Sequence, residues 1–286
     1  MPDDTAILDQ EAEEIVRNIG IPSCPAILTK LVREMRNDDP DFDKIGRLIG
    51  GDVGLAGAML KTVNSPFYGL HTKATTVPQA LALLGLRNVA NLVTRLLLRQ
   101  VFAESDNSAM EDFWESSFST ALIAAWLARR VKGVDHDDAY TFALFRDCGI
   151  PLLMTKFKDY DPATRASSAA DSALRRANEI ERYGVDHACI GYQITKSWLL
   201  PEAACEAVRH HHDYIALTDS ESSVPKASVK LVAIALAAEW LFTMHTSGTK
   251  CLEWKEAGIF ALEQLGIVQE QLEAFVPEID GVLAAK

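Results

Sequence analysis

Residues 25–43 read PAILTKLVREMRNDDPDFD, and this stretch decides the fold class. Ile27, Leu28, Leu31, Val32 and Met35 recur at intervals of three and four, the spacing of one apolar helix face, and the polar NDDPDFD stops the helix. The same period continues on both sides of this stop. A second helix is expected from about Phe42 to Gly50. Asp52 is placed to cap a third, which carries Leu55, Ala58, Met59 and Val63 and ends at Asn64-Ser65-Pro66. Thr76-Val77-Pro78 opens a fourth through Leu84, Gly85 punctuates it, and residues 86–102, LRNVANLVTRLLLRQVF, continue as a strongly apolar helix. Longer helices are expected at about Met110 to Val131, Asp137 to Cys148, Asp171 to Tyr183, Asp186 to Ser197, Pro201 to His211, Val224 to His245, Trp254 to Leu265 and Val268 to Leu283. The long segments follow the helical period, not the alternation of strands, so the chain reads as all-α.

With 286 residues, 48% of them hydrophobic and 24% charged, the chain can bury a sizeable core without a disulfide or metal staple. Its 40 acidic and 28 basic residues give a net charge of -12, a field that repels phosphate backbones and anionic lipid heads. Nucleic acid and membrane are therefore not expected as partners. The five cysteines are scattered and form no CxxC pair, and the start MPDDTAILDQEAEEIV lacks the basic and apolar regions of a signal peptide. These features predict a cytoplasmic location.

Candidate chemistry concentrates in the second half. His210-His211-His212-Asp213 closes a predicted helix, where a histidine run can simply complement the helix dipole. His187 lies on a stripe with Ile190, Gly191, Ile194 and Trp198, which puts an imidazole on a buried face. A buried imidazole needs a partner. Either it is hydrogen-bonded within a core, or it ligates a metal with a histidine of the following helix and a carboxylate, for which Asp147 is the candidate. Earlier in the chain, Asn64, Phe67 and Tyr68 lie in a helix-ending block that is either a structural turn or a surface for a ligand or partner. No G-x-S-x-G elbow, phosphate loop or H-E-x-x-H pattern is present.

The stretch Ile21 to Val93 has a P-x-x-P start, a D-x-x-L-x-x-x-x-L-K-x-x-N-S-x-F-Y-G block (Asp52 to Gly69) and a run from Ala80 to Arg87. It is followed by F-W-E-S-S (Phe113 to Ser117), F-R-D-C-G-I (Phe145 to Ile150), Y-G-V-D-H-A-x-I-G (Tyr183 to Gly191), W-L-L-P (Trp198 to Pro201) and V-R-H-H-H (Val208 to His212). In these blocks and their order the sequence resembles the HDOD domain, over roughly residues 18 to 240. The resemblance implies a multi-helix HD-like bundle with an N-terminal helical subdomain. The expected parts are an N-terminal helix (1–17), a helical subdomain (18–105), a degenerate HD-like subdomain (106–240) and a C-terminal helical extension (241–286).

The HDOD family is related to the HD and HD-GYP metal-dependent phosphohydrolases and is regarded as lacking their catalytic metal centre. Where such an enzyme carries its first histidine, this chain has Ser116. The paired His-Asp is here Arg146-Asp147, and the later aspartate falls near Ala238. His187 and His211-His212 match the additional histidines of the HD-GYP type, but the glycine-tyrosine-proline motif is absent. Ser116, Arg146, Asp147, His187, His211 and His212 thus outline a vestigial pocket, with no catalytic residue, no cofactor and no metal expected. Were a metal held, its ligands would be Asp147, His187, His211 and His212. Arg146 either acts as a substitute cation beside a carboxylate such as Glu115 or Asp147, or turns to solvent.

The resemblance implies a non-catalytic bacterial signalling module that binds a protein partner or a small anionic ligand. The alternatives are a phosphohydrolase or cyclic dinucleotide phosphodiesterase with a rearranged metal site, and an adaptor that associates through its C-terminal helices.

Overall fold

The computed structural model describes residues 14–284 apart from 17, 23, 36, 38, 66–71, 103–107, 161–171, 220 and 249–251. The fold is all-α, with no strand among the described residues. Two compact units divide the chain, one formed by residues 22–103 with the last three residues, the other by residues 1–21 and 104–283.

The first of these contains α1 (Ala26–Met35), α2 (Phe42–Gly50), α3 (Val53–Val63), α4 (Val77–Leu84) and α5 (Leu86–Val101). Local chemistry sets the boundaries. Asp52 caps α3 by accepting the Leu55 amide at 2.9 Å, as the sequence predicts, and Asp41 caps α2 by accepting the Lys44 amide at 2.9 Å. Gly85 adopts φ +79° between α4 and α5, a left-handed geometry that favours glycine. Leu28, Leu31, Met59 and Val63, on the stripes read from the sequence, fill the core together with Ile45 and Ile49 of α2. Glu34 is buried beneath α2, where it accepts from Asn37 Nδ2, the Asp41 amide and Lys44 Nζ. The Asn64 side chain donates to the Ala74 carbonyl at 2.7 Å and accepts the Ala74 amide at 2.8 Å, so both halves of its amide close the loop after α3.

The larger unit is built on two long helices, α6 (Ser108–Ala128) and, later in the chain, residues 226–247. Between them run α7 (His136–Phe145), α8 (Gly149–Lys156), α9 (Ser172–Tyr183), α10 (His187–Ser197), α11 (Glu202–His210) and the short α12 (Tyr214–Thr218). The second long helix is α13 (Lys226–Ser247), followed by α14 (Leu252–Leu265), α15 (Gln269–Glu273) and α16 (Ile279–Ala284). Helix α6 packs on α7 and α13, α13 on α7, α11 and α14, and α10 on α8 and α11. Among the described residues α13 is the helix long and apolar enough to cross a membrane, but residues 231–238, Trp240 and Leu241 of it are buried in the unit.

Three local readings change. The helix expected to reach Cys148 ends at Phe145; the chain turns through residues 146–148 and restarts as α8, which tolerates Pro151 because a first-turn residue has no intrahelical partner for its N–H. The continuous last helix is interrupted at Pro277, which lies in a 3-10 turn (Val276–Glu278). The boundary expected at residue 240 falls inside α13, and α14 packs against that same helix.

Candidate functional site

The turn at the end of α7 is held by close helix contact. Gly149 begins α8 directly against α10, where a Cβ would stand 2.0 Å from the His187 carbonyl oxygen; at Gly191 a Cβ would stand 2.8 Å from Val208 Cγ1 of α11. The absence of these two side chains lets α8, α10 and α11 converge and brings Asp147, His187, His211 and His212 together. Each of the four offers one ligand atom, and all four atoms lie within 4.8 Å of one another.

His187 opens α10 after the N-cap Asp186, which accepts the Cys189 amide at 2.7 Å and Arg176 Nε at 2.6 Å. Its ring is fully buried, with Nδ1 2.6 Å from Glu179 Oε2 of α9, and its backbone N–H donates to the same oxygen at 2.8 Å. The Tyr160 hydroxyl donates to the other Glu179 oxygen at 2.8 Å. Burial opposes the charge on Glu179, but His187 and these donors outweigh it and hold its pKa down at about 2. An ionised carboxylate accepts only, so Nδ1 of His187 carries the proton and Nε2 points into the cluster. Burial lowers the His187 pKa, yet the Glu179 carboxylate beside it makes the net shift upward.

His211 follows α11 with its Nδ1 2.7 Å from the Val208 carbonyl, which again places the proton on Nδ1 and the lone pair on Nε2. Burial pushes this imidazole's pKa down. Its Nε2 lies 3.3 Å from Asp147 Oδ1 and is buried without a hydrogen bond. His187 Nε2 lies 3.6 Å from the same oxygen. His212 Nε2 stands 3.1 Å from His187 Nε2 and 3.3 Å from an Arg175 amine, while its Nδ1 is 2.7 Å from Glu253 Oε1 of α14, out of line for a hydrogen bond. Burial, with His211 alongside, holds His212 well below the usual histidine range. The Tyr214 hydroxyl donates to that Glu253 oxygen at 2.6 Å.

Arg146 faces inward. Its Nε donates to Asp147 Oδ2 and one terminal amine donates to Glu239 Oε2 of α13, both at 2.8 Å. The guanidinium is thus turned onto carboxylates and not to solvent. Asp147 and Glu239 are its partners, whereas Glu115 stands exposed on α6. Burial would raise the Asp147 pKa, but Arg146 and the histidines hold it well below the usual carboxylate range. The carboxylates Asp147, Glu179, Glu239 and Glu253 and the guanidiniums Arg146 and Arg175 surround the three imidazoles, and burial raises the Glu239 pKa above its ordinary value.

Not every expected residue joins the cluster. Ser116 is exposed on α6, on the side shared with Glu111, Asp112 and Glu115, because the buried stripe of that helix runs through Trp114, Phe118 and Ala121. Asn64 is occupied by Ala74, and Phe67 and Tyr68 lie outside the described residues. Ala238 is buried, and the acid of α13 is its neighbour Glu239. A second group of potential ligands, Asp135, His136 and Asp137, consists of successive residues at the start of α7, where Asp135 serves as the N-cap. Sequence reasoning missed Glu179, Arg175, Glu239 and Glu253. Glu239 had a readable signal, a single acid within the apolar run AIALAAEWLF.

The HDOD domain pattern matches residues 21–214, more than half of the sequence. The chain belongs to the HDOD domain family. A Treponema pallidum protein without a described function is 25% identical over 194 residues, a match spanning 68% of this chain but only 38% of that relative's length. Among solved structures, an HDOD domain protein of unknown function from Geobacter sulfurreducens is 19% identical with a TM-score of 0.69, covering 98% of this chain and 97% of its own. A protein from Marinobacter aquaeolei provisionally assigned to signal transduction is 18% identical with a TM-score of 0.72, covering 99% of this chain and 65% of its own. These likenesses establish the HDOD fold; the arrangement around Arg146 and Asp147 is read from this chain alone.

Proposed function

We propose that this HDOD chain is a regulatory signalling module of the bacterial cytoplasm that acts by binding, without turnover. Its binding partner is a protein or a small anionic ligand. The observation that carries this reading is the Arg146 guanidinium bridging Asp147 and Glu239. Metal-assisted phosphoester hydrolysis needs an ion that polarises the phosphoryl oxygen and lowers the pKa of a bound water. A guanidinium neutralises carboxylates but has no coordination site for water and does not release its proton. Arg146 therefore supports a site in which a guanidinium, and not a hydrolytic pair of metals, neutralises Asp147 and Glu239.

The test is an assay of the purified protein on p-nitrophenyl phosphate, bis(p-nitrophenyl) phosphate and cyclic dinucleotides, with manganese, iron or zinc supplied. Product formation equal to the protein-free blank is expected. Turnover that disappears in His187→Ala would replace this reading with the hydrolytic one.

The second reading, a metal-dependent phosphohydrolase with a rearranged site, is favoured by the convergence of Asp147, His187, His211 and His212. These residues fit a divalent transition ion. An unpartnered, buried His211 Nε2 and three imidazoles beside one carboxylate are the donor set of such a centre. A bound ion would supply Lewis acidity. Asp147 and the three histidines would hold it, Glu179 and the Val208 carbonyl would orient two of the rings, and Arg146 would fix the second oxygen of Asp147.

A further inference from the structure

We infer that the cluster binds one divalent transition-metal ion, and that Arg146 is the built-in second cation that keeps the site mononuclear. The ion is a ligand held by Asp147 Oδ1 and the Nε2 atoms of His187, His211 and His212. This adds to the regulatory reading a bound cation, separate from the protein or anionic ligand proposed above, and it rests on that reading only in treating the ion as bound effector and not as reagent.

Three observations lead to this assignment. The first is direction: His187 and His211 each commit Nδ1–H to a fixed acceptor, Glu179 and the Val208 carbonyl, and so turn Nε2 lone pairs towards each other's neighbours. Outer partners of this kind, a carboxylate for one ring and a main-chain carbonyl for the other, are those that orient metal-binding imidazoles. The second is spacing. Bonds of about 2.1 Å in a tetrahedron place ligand atoms about 3.4 Å apart; three of the six separations here are 3.1 Å (His187 Nε2 to His212 Nε2), 3.3 Å (His211 Nε2 to Asp147 Oδ1) and 3.6 Å (His187 Nε2 to Asp147 Oδ1), and all lie within 4.8 Å. The third is an unmet need. His211 is 1% exposed and its Nε2 has no hydrogen bond, although it faces a carboxylate oxygen that cannot donate.

The donor set decides the class of ion. Three imidazoles and a single carboxylate suit zinc, cobalt, iron or nickel, not magnesium or calcium, which take mostly oxygen. Arg146 decides the number. It occupies Asp147 Oδ2 and reaches Glu239, so the aspartate has one oxygen left and the nearest other carboxylate is already paired. Arg175 lies 3.3 Å from His212 Nε2 and would have to withdraw from that lone pair for the ion to bind.

The experiment titrates chelator-stripped, full-length protein with cobalt(II), following the visible absorption band and then counting bound metal by elemental analysis after desalting. One cobalt per chain is expected, with the strong band of a four-coordinate site, and both signals should fall at least tenfold in His187→Ala and in His211→Ala. The variant Arg146→His, checked for folding by circular dichroism, should bind two. Less than a tenth of an equivalent in the wild type overturns the metal site, whether or not any substrate is turned over. Two equivalents in the wild type, or one in folded Arg146→His, overturn the role given to Arg146. Wild-type stoichiometry decides alone if that variant does not fold. Because this readout counts metal and not product, it can fail while the absence of turnover stands, and the reverse also holds.

Discussion

Arg146 and Asp147 are sequence neighbours that close an ion pair of 2.8 Å upon themselves, and the pairing uses only one oxygen of the aspartate. The other oxygen faces two histidines. Removing the guanidinium leaves Asp147 and Glu239 unpaired at 16% and 26% side-chain exposure. Breaking a buried pair costs about 3 to 5 kcal/mol, and the residual exposure here places the expected loss for Arg146→Met at about 2 to 3 kcal/mol. Urea unfolding would measure it. The double variant Arg146→Met, Glu239→Gln should recover part of the loss, because one of the stranded charges is gone.

Gly149→Ala should be among the most damaging small substitutions in the protein. Its new methyl would stand 2.0 Å from the His187 carbonyl, and backbone cannot step aside as a flexible side chain can. A loss of about 3 kcal/mol or more is expected from overpacking. Gly57→Ala on α3 is the matched control: nothing lies within 4 Å of its Cβ, and the change should stabilise by about 0.5 to 1 kcal/mol. Thermal unfolding of the two variants in parallel tests the contrast.

Glu34 predicts an acid limb for the smaller unit. The hydrogen bond from Lys44, then that from the Asp41 amide, set its pKa below the ordinary 4.5. A carboxylate with a lowered folded pKa contributes stability in full above the unfolded value and loses it as pH falls through the folded one. Urea midpoints measured from pH 6 down to pH 3 should therefore decline more steeply for the wild type than for Glu34→Gln. Parallel profiles would show that Glu34 contributes nothing to the acid response.

Leu199 follows the C-terminus of α10 with φ +58° and 81% exposure, while the Leu200 amide returns to the Thr195 carbonyl at 3.0 Å. This is the position at which helices favour glycine. An exposed leucine gains little there from packing, so Leu199→Gly should raise stability by about 1 kcal/mol. A lower melting temperature would mean that the leucine makes a contact its exposure conceals.

Glu179→Gln tests the orientation of His187. The amide keeps an acceptor for Tyr160 or His187 but loses the charge that fixes the proton on Nδ1. Loss of such an outer partner weakens metal binding by about 10- to 100-fold. Cobalt titration of the folded variant should show that reduction, with the stoichiometry unchanged.

The fold was legible because the apolar stripes and caps of this chain are local. Ile45, Ile49, Leu55, Met59 and Val63 are buried, and Asp52 caps the helix it precedes. The ligand candidates on α10 and after α11 were legible for the same reason: His187 stood on an apolar stripe and His211-His212 at a helix end. Their partners were not. Glu179 is eight residues before His187 on a different helix, and Glu253 meets His212 from forty-one residues away. Nothing in the local pattern of either acid distinguishes it from a solvent-facing one. Ser116 misled in the opposite direction, because an alignment of motifs assigns a position along α6 but not the face of the helix that the position occupies.

The paired hydrogen bonds between Asn64 and Ala74 work like a clasp, with one side chain tying the end of α3 to the chain leading into α4. Because the same amide both donates and accepts, a change at position 64 undoes both ties at once. The spacing between the two helices in the smaller unit therefore hangs on a single residue.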